Sequence, residues 1–302
     1  MREPAENEAY VRRVHDKRLR FDLRTLSRRR LLTGLGGAGA LMALGACRDG
    51  VTGSSGASDG ALTEVESETN GPYPADGSNG PDVRVQEGIV RRDIRSSFGD
   101  ASGTAEGVPL EFSLVVKDLA GAALPGAAVY AWQCDRDGNY SLYSQAVADQ
   151  NYLRGIQVAD ETGTVTFTSI FPGCYSGRWP HIHFEVYKAL ANATSGDGPI
   201  AKTSQITFPE QICDAVYATA GYDRSVTNLD SITLATDNVF GNDSAATELA
   251  AVTGNVTEGY RATLTIAIDP DGEESGGGND PGGGGPGGTP PSGGPAGGPP
   301  SS

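Results

Sequence analysis

The sequence predicts an all-β protein: an antiparallel β-sandwich with short helices and long loops, spanning residues 63–268. Short segments rich in β-branched and aromatic residues recur along this region, and glycine-containing turn sequences separate them. No internal repeat or heptad pattern is present. Such spacing is typical of two packed antiparallel sheets, and a body of about 200 residues can bury a sizeable core.

Seven strands are predicted in chain order. They cover residues 88–94, 110–117, 127–134, 164–170, 181–187, 203–208 and 262–268. Turn signals lie between them, for example Leu124-Pro125-Gly126 and Glu161-Thr162-Gly163. Residues 209–219 are predicted to form a short helix after the sixth strand.

The first 46 residues are predicted to be an export signal. Arg28-Arg29-Arg30 precede an apolar stretch at 34–45, as in a twin-arginine (Tat) signal, and this stretch is short and glycine-rich for a membrane span. It ends in Leu44-Gly45-Ala46-Cys47, which resembles a lipobox, so Cys47 is the predicted lipidation site. We expect the Tat export machinery to be a partner and the protein to act outside the cytoplasm, tethered to a membrane. A soluble exported protein is the alternative.

Two further segments are predicted to lie outside the fold. Residues 47–62 are rich in glycine and serine and would act as a flexible tether. Residues 269–302 are rich in glycine, proline and serine and are predicted to be disordered. The formal net charge is −15, and the predicted leader is the basic part, so the exported protein would be more acidic still. This balance disfavours nucleic acid and anionic lipid headgroups as partners.

The cysteines after Cys47 are Cys134, Cys174 and Cys213. In an exported protein they can form one disulfide and leave one free thiol, or all three can remain buried thiols. The sequence does not determine which pairing occurs.

Two of the chain's three histidines, His181 and His183, lie in the fifth predicted strand, and the third, His15, lies in the leader. Residues i and i+2 of a strand point to the same face, so a single metal ion could bind both imidazoles. A pair of histidines on a solvated strand face is the plainer interpretation. The chain has no cysteine-rich cluster beside the pair, which argues against a structural zinc site.

Tyrosines surround the histidine pair in sequence. Tyr175 precedes it, and Tyr140 follows the third predicted strand within Asp137-Gly138-Asn139-Tyr140. Two phenolates with two imidazoles would favour a hard ion such as Fe(III), while a histidine-based site for copper or zinc stays open. Any single tyrosine is also well explained as a half-buried side chain with a hydrated hydroxyl group.

These residues together resemble the intradiol ring-cleavage dioxygenases, the family of catechol and protocatechuate 3,4-dioxygenases. The resemblance covers roughly residues 63–268 and is nearest to exported single-domain members. It rests on the segments Gly138-Asn139-Tyr140, Thr168-Ser169-Ile170-Phe171-Pro172-Gly173-Cys174-Tyr175, Arg178-Trp179-Pro180-His181-Ile182-His183-Phe184 and Gly71-Pro72-Tyr73.

The resemblance implies a non-haem Fe(III) ion held by Tyr140, Tyr175, His181 and His183. Tyr175 and His183 would be axial, and Tyr140 and His181 equatorial beside a bound hydroxide. The implied activity is cleavage of catechol-type rings between the two hydroxyl-bearing carbons, with both atoms of O₂ incorporated, to give muconate-type dicarboxylates. Tyr175 would be the exchanging ligand, Arg178 would stabilise charge on the reacting ring, and Tyr73 would line the substrate pocket.

A non-catalytic sandwich that binds surfaces or carbohydrates is the competing hypothesis. The stretch Asp118-Leu119-Ala120-Gly121-Ala122-Ala123-Leu124-Pro125-Gly126-Ala127 also suits transthyretin-like modules without enzymatic activity. A binding sandwich, however, has no need to keep Tyr140, Tyr175, His181 and His183 together. The sequence leaves the identity of the catechol and the oligomeric state open.

Overall fold

The computed structural model describes residues 61–274. The predicted export signal, Cys47, all but the end of the predicted tether, and residues 275–302 of the predicted tail lie outside this range. Residues 269–274 are described, and Glu274 bonds to the domain through Lys202 and the Thr203 backbone. No helix between residues 61 and 274 is long and apolar enough to cross a membrane.

Two four-stranded sheets pack face to face, as the sequence predicts. The strands are β1 Pro109–Asp118, β2 Ala128–Trp132, β3 Arg154–Val158, β4 Thr164–Ile170, β5 His181–Tyr187, β6 Lys202–Thr207, β7 Ala251–Asn255 and β8 Gly259–Ile268. The first sheet has the order β4-β1-β8-β7 and the second β3-β2-β5-β6. Neighbouring strands are antiparallel except for the parallel pair β1 and β8.

Short helices and a 3₁₀ turn connect these strands. The helices are α1 Leu190–Ala193, α2 Glu210–Tyr217 and α3 Asp223–Asp230, and the 3₁₀ turn is Gln145–Val147. The predicted helix at 209–219 corresponds to α2. Its first helical residue follows Pro209, whose extended backbone and missing N–H suit a helix start.

The strand β5 is buried on both faces, and this property places the functional residues. Ile182, Phe184 and Val186 face the other sheet and join the main core. The alternate residues, beginning with His181 and His183, point away from that sheet. There His183 lies beneath Gly71 and stacks on Trp132, which belongs to a second buried cluster that also includes Tyr140. The outer face of the second sheet is therefore covered by chain rather than by solvent.

The prediction of a strand at 88–94 is wrong. Val90 bridges Ile156 of β3, while Asp93 bridges Thr168 of β4. Because β3 and β4 are edge strands of different sheets, this segment crosses from one sheet to the other and pairs with each at a single residue. The β-branched residues of this segment therefore adopt an extended conformation in a crossover between the sheets and do not form a continuous strand ladder. The prediction also omits the five-residue strands β3 and β7 and the helices α1 and α3.

The glycines of the two predicted turns have the same backbone conformation but differ in the space around them, so they separate the cost of conformational strain from the cost of a steric clash. Gly163 and Gly126 both have positive φ, 77° and 83°. A Cβ atom at Gly163 would lie 2.4 Å from the Val116 carbonyl oxygen, whereas one at Gly126 would meet no atom within 4 Å. We expect Gly126→Ala to lower the free energy of unfolding by about 1 kcal/mol and Gly163→Ala by at least about 2 kcal/mol more. Urea unfolding measures both, and equal losses would contradict the clash at Gly163.

Candidate metal centre and active site

The histidine pair lies at the start of β5, where loops from two directions converge. His183 is paired in register with Trp132, the last residue of β2, because the two strands are antiparallel. The chain leaving β2 and the chain entering β5 therefore meet at one end of the sheet. Both imidazoles are buried, with 2% of each residue exposed, and their ring centres lie 4.7 Å apart. The proposed solvated strand face is excluded by this burial.

The hydrogen bonds of His181 determine which of its nitrogens is free. Nδ1 lies 2.6 Å from the carbonyl oxygen of Trp179, which can only accept, so Nδ1 carries the proton. Nε2 therefore has a lone pair, and the Tyr175 hydroxyl group donates to it at 3.1 Å. The phenol oxygen of Tyr175 and the Nε2 lone pair of His181 are thus close enough to bind the same metal ion.

Tyr140 completes the group from the loop that follows β2. The turn at 135–138 reverses the chain, since Gly138 N–H donates to the Asp135 carbonyl oxygen and has a φ of 85°. Gly173 N–H donates to the same carbonyl, which ties this loop to the one that carries Tyr175. The Tyr140 and Tyr175 ring centres lie 5.9 Å apart in an edge-on arrangement.

The hydroxyl oxygen of Tyr140 is buried and has no partner in hydrogen-bond geometry. The hydroxyl group of Tyr143, the nearest tyrosine in sequence, has both a donor and an acceptor partner in the backbone. It accepts from Ala75 N–H at 2.9 Å and donates to the Asn79 carbonyl oxygen at 2.5 Å. Buried polar atoms without partners are uncommon, so Tyr140 has the unsatisfied oxygen that a cation would bind.

The segment containing Gly71 and Tyr73 forms the wall over this group. A Cβ atom at Gly71 would lie 3.2 Å from Cε1 of His183 and 3.5 Å from Nε2, so only a residue without a side chain fits there comfortably. Tyr73 packs its ring against Tyr140 with centres 5.0 Å apart, and 38% of the residue remains exposed. Tyr73 therefore lies between Tyr140 and solvent, and its role in substrate binding stays a prediction.

Arg178 lies beside the group in a buried ion pair rather than in a surface salt bridge. Its Nε donates to Oδ2 of Asp237 at 3.0 Å, and its terminal nitrogen donates to Oε1 of Gln205 at 2.7 Å. The side chain of Asp237 is fully buried and that of Arg178 is 12% exposed. Both partners hold the guanidinium group in one orientation.

Asp237 and Gln205 are functional residues that were not predicted from the sequence. Gln205 is the register partner of His183 on β6, so a sheet alignment would have found it. Asp237 lies in the long loop before β7, and no local pattern marks it. Only the folded chain brings it to Arg178.

Burial controls the protonation of the four candidate ligands. It lowers the pKa of both histidines well below the usual value, helped at His181 by Arg178 and at His183 by His181. It raises the pKa of Tyr175 to about 12 and that of Tyr140 well above its usual value. Without a cation the group is therefore neutral: two free imidazoles and two phenols.

The donor set fits a hard trivalent ion. Neutral imidazoles are the form that binds metals, and buried phenols ionise only where a strong positive charge stabilises the phenolates. Two phenolates and a hydroxide would offset the charge of Fe(III). No cluster of three or more His, Cys, Asp or Glu that could hold a metal occurs in the described part of the chain, so the tyrosines are essential to this fit.

The three cysteines of the domain are buried and unbonded to one another. Cys134 and Cys174 lie in the loops that carry Tyr140 and Tyr175, and their sulfurs contact backbone carbonyl oxygens. Burial raises the pKa of Cys174 to about 12, so the thiol is neutral and behaves as a small apolar group. Of the two arrangements that the sequence allows, the structure has three free thiols.

Known dioxygenases share sequence and fold with the part of the chain that carries these features. Residues 80–193 match the sequence model of the family described as Dioxygenase, a range that contains Tyr140, Tyr175, Arg178 and both histidines. Over 66 residues the chain is 41% identical to chlorocatechol 1,2-dioxygenase of Rhodococcus opacus. That stretch covers 22% of this chain and 26% of the relative, so only about a quarter of the relative's length is matched.

The fold is shared with solved dioxygenases over nearly their whole length. An intradiol ring-cleavage dioxygenase from Tetranychus urticae superposes with a TM-score of 0.55 at 24% identity, covering 70% of this chain and 98% of the other. A second dioxygenase crystal structure gives a TM-score of 0.56 at 25% identity over 71% and 98% of the two chains. Together with the sequence match, the shared sandwich shows that this chain is similar to intradiol ring-cleavage dioxygenases in fold and, over residues 80–193, to a dioxygenase family in sequence.

Proposed function

We propose that this protein is a non-haem Fe(III) dioxygenase that cleaves catechol-type rings between the two hydroxyl-bearing carbons, with O₂, to muconate-type dicarboxylates. The observation that carries the proposal is the convergence of two phenols and two imidazoles, with Nε2 of His181 directed at the Tyr175 hydroxyl oxygen. The family match and the chlorocatechol 1,2-dioxygenase activity of a relative support the same reaction class.

Tyr140, Tyr175, His181 and His183 would hold the ion. A bound ferric ion would supply a Lewis acid that lowers the pKa of a catechol's hydroxyl groups. The alternative metals copper and zinc would need fewer phenolates, and a purely binding sandwich would need no buried neutral donor group. A purely binding sandwich does not explain why Tyr140 has an unsatisfied buried oxygen.

Tyr175 is the residue best placed to accept a proton from the substrate. It is the more exposed of the two tyrosines, and its hydroxyl group lies 3.1 Å from Nε2 of His181. As a phenolate, Tyr175 would accept a catechol proton and would hold it, because burial raises the pKa of this hydroxyl group. Tyr140, packed against Tyr73 and 2% exposed, has less freedom to move and would keep its place among the four donors.

Arg178 would stabilise negative charge that develops on the reacting ring. Its fixed partners Asp237 and Gln205 hold the guanidinium group in place before substrate binds, so no reorientation is needed during the reaction. Tyr73 would contact the ring at the opening of the site. The chemistry would thus occur in a largely buried pocket with one partly exposed wall.

The place of action is also part of the proposal. Residues 27–47, with their arginine run and lipobox-like end, support Tat export and attachment through Cys47. Because Tat transport moves folded proteins, the ion could be loaded before export. The acidic chain would then meet small catechols outside the cytoplasm.

Analysis of the purified full chain tests the function. We expect about one iron per chain, a red-brown colour from phenolate-to-Fe(III) charge transfer, and conversion of a catechol to a muconate-type product with uptake of one O₂ per ring. Protein reconstituted with Zn²⁺ is the control and should be colourless and inactive. Colourless, iron-free protein that stays inert after ferric reconstitution would contradict the proposal.

A further inference from the structure

We propose that Arg154, on β3, is a positioning residue that fixes Tyr73 and Tyr140 relative to each other and so sets the shape of the substrate site. The inference rests on the proposed function for its meaning, but its geometry is independent of any metal. Arg154 is fully buried, with 0% of the residue exposed. An arginine is among the residues least often found in such a place without a specific role.

All five N–H donors of Arg154 are used, and each ends on an uncharged oxygen. Nε donates to the Ser141 hydroxyl at 3.1 Å. One terminal nitrogen donates to the Pro74 carbonyl oxygen at 3.0 Å and to the Tyr130 hydroxyl at 3.3 Å. The other donates at 2.9 Å to the carbonyl oxygens of both Tyr73 and Ser141. The side chain therefore joins two segments of chain rather than balancing a carboxylate.

The first segment carries Tyr73. Its carbonyl oxygen and that of Pro74 both accept from Arg154, and Tyr130 also donates to Pro74 at 2.7 Å. Because peptide groups are planar, fixing these two carbonyls fixes the backbone from which the Tyr73 ring projects. That ring packs 5.0 Å from the ring of Tyr140. The pocket wall thus depends on bonds made at its base.

The second segment carries Tyr140. Arg154 donates to both the hydroxyl and the carbonyl oxygen of Ser141, the residue immediately after Tyr140. The chain then passes through Leu142 at φ 71°, and Leu153, just before Arg154, has φ 57°. Leucines in this region of φ are uncommon and cost free energy, so other contacts must hold the bend. The loop that begins with Leu142 and ends with Leu153 is closed by the hydrogen bonds between Arg154 and Ser141, which supply such contacts.

A general stabilising role does not account for this arrangement as well as positioning does. The bonds converge on the residues at and next to the pocket tyrosines, and in register Arg154 pairs with Trp132, whose ring stacks on His183 with centres 5.0 Å apart. Only a planar guanidinium group can serve five acceptors in fixed directions. Lysine would keep the charge but reach three at most.

The test compares Arg154→Lys with Arg91→Lys in the full chain. Arg91 is a matched control, because its half-buried side chain also donates to backbone carbonyl oxygens but has no hydrogen bond to Tyr73 or Ser141. Its acceptors are the carbonyl oxygens of Ser96, Asn151 and Arg154. In metal-free protein with ¹³C-labelled tyrosine rings, we expect Arg154→Lys to shift the Tyr73 and Tyr140 signals and Arg91→Lys to leave them in place. In iron-loaded protein Arg154→Lys should raise KM for catechol about tenfold and shift the phenolate charge-transfer band.

The outcomes separate the inference from the proposed function. If Arg154→Lys lowers the unfolding midpoint like Arg91→Lys and leaves both ring signals and KM unchanged, the residue is merely structural and the inference fails. If the wild type proves inert with catechols, the function fails, yet the metal-free ring signals still decide the role of Arg154. Should Arg154→Lys not fold, Ser141→Ala removes one acceptor and is expected to shift the Tyr140 signal, and an unchanged signal would overturn the inference.

Discussion

Replacing Tyr175 with phenylalanine is expected to reduce turnover of catechol by at least about 100-fold while most of the iron is retained. The substitution removes the hydroxyl group that lies 3.1 Å from Nε2 of His181 but keeps the ring in its loop. Three donors, from Tyr140 and the two histidines, would still hold the ion. The substrate proton, however, would lose its proposed acceptor. Metal analysis, steady-state kinetics and the visible spectrum of one preparation measure the three effects together.

Tyr222→Phe is the matched control for that experiment. The Tyr222 hydroxyl is also buried, accepts from Val108 N–H at 3.0 Å and donates to the Phe171 carbonyl oxygen at 2.8 Å. Its loss should lower the free energy of unfolding by about 1–3 kcal/mol without changing colour or turnover. Full activity in Tyr175→Phe would show that this hydroxyl is not the exchanging group, whereas complete loss of iron would show that it is essential for binding.

Asp237→Asn is expected to produce the largest combined loss of stability and activity. The carboxylate accepts four hydrogen bonds: Arg178 and Trp179 N–H at Oδ2, and Val239 and Phe240 N–H at Oδ1. An amide would direct its own N–H groups at donors and leave Arg178 without its counter-charge in a buried site. We expect unfolding to become easier by about 3–5 kcal/mol, and kcat/KM to fall as Arg178 loses its orientation.

The exposed ion pair of Asp93 and Arg95 provides the control for charge removal. Its side chains are 51% and 41% exposed, and Asp93→Asn should change stability by no more than about 1 kcal/mol. Urea unfolding and kinetics on both variants decide the matter. Wild-type turnover in a folded Asp237→Asn protein would mean that the orientation of Arg178 does not depend on the buried pair.

The strands were predictable where hydrophobic pattern and length agree. The sequences of β1 and β5 are rich in β-branched and aromatic residues over a typical strand length, and both segments were predicted. In the structure β1 alternates buried and less buried residues, and β5 is buried throughout. Residues 88–94 have a similar composition but bridge two edge strands, a role that depends on where β3 and β4 lie. Local composition indicates an extended chain, and it does not indicate how many partners that chain has.

The sequence by itself determined the identity of the chemical groups: two histidines at strand spacing, two tyrosines at the spacing of a known family, and an arginine nearby. Those are properties of short segments, and a strand's period of two is enough to bring His181 and His183 to one face. The tertiary structure decided their environment. It buried the imidazoles, left the Tyr140 oxygen without a partner, and brought Asp237, Gln205 and Arg154 from distant positions to orient the rest. Protonation and orientation depend on burial and on contacts between remote segments, which no local pattern contains.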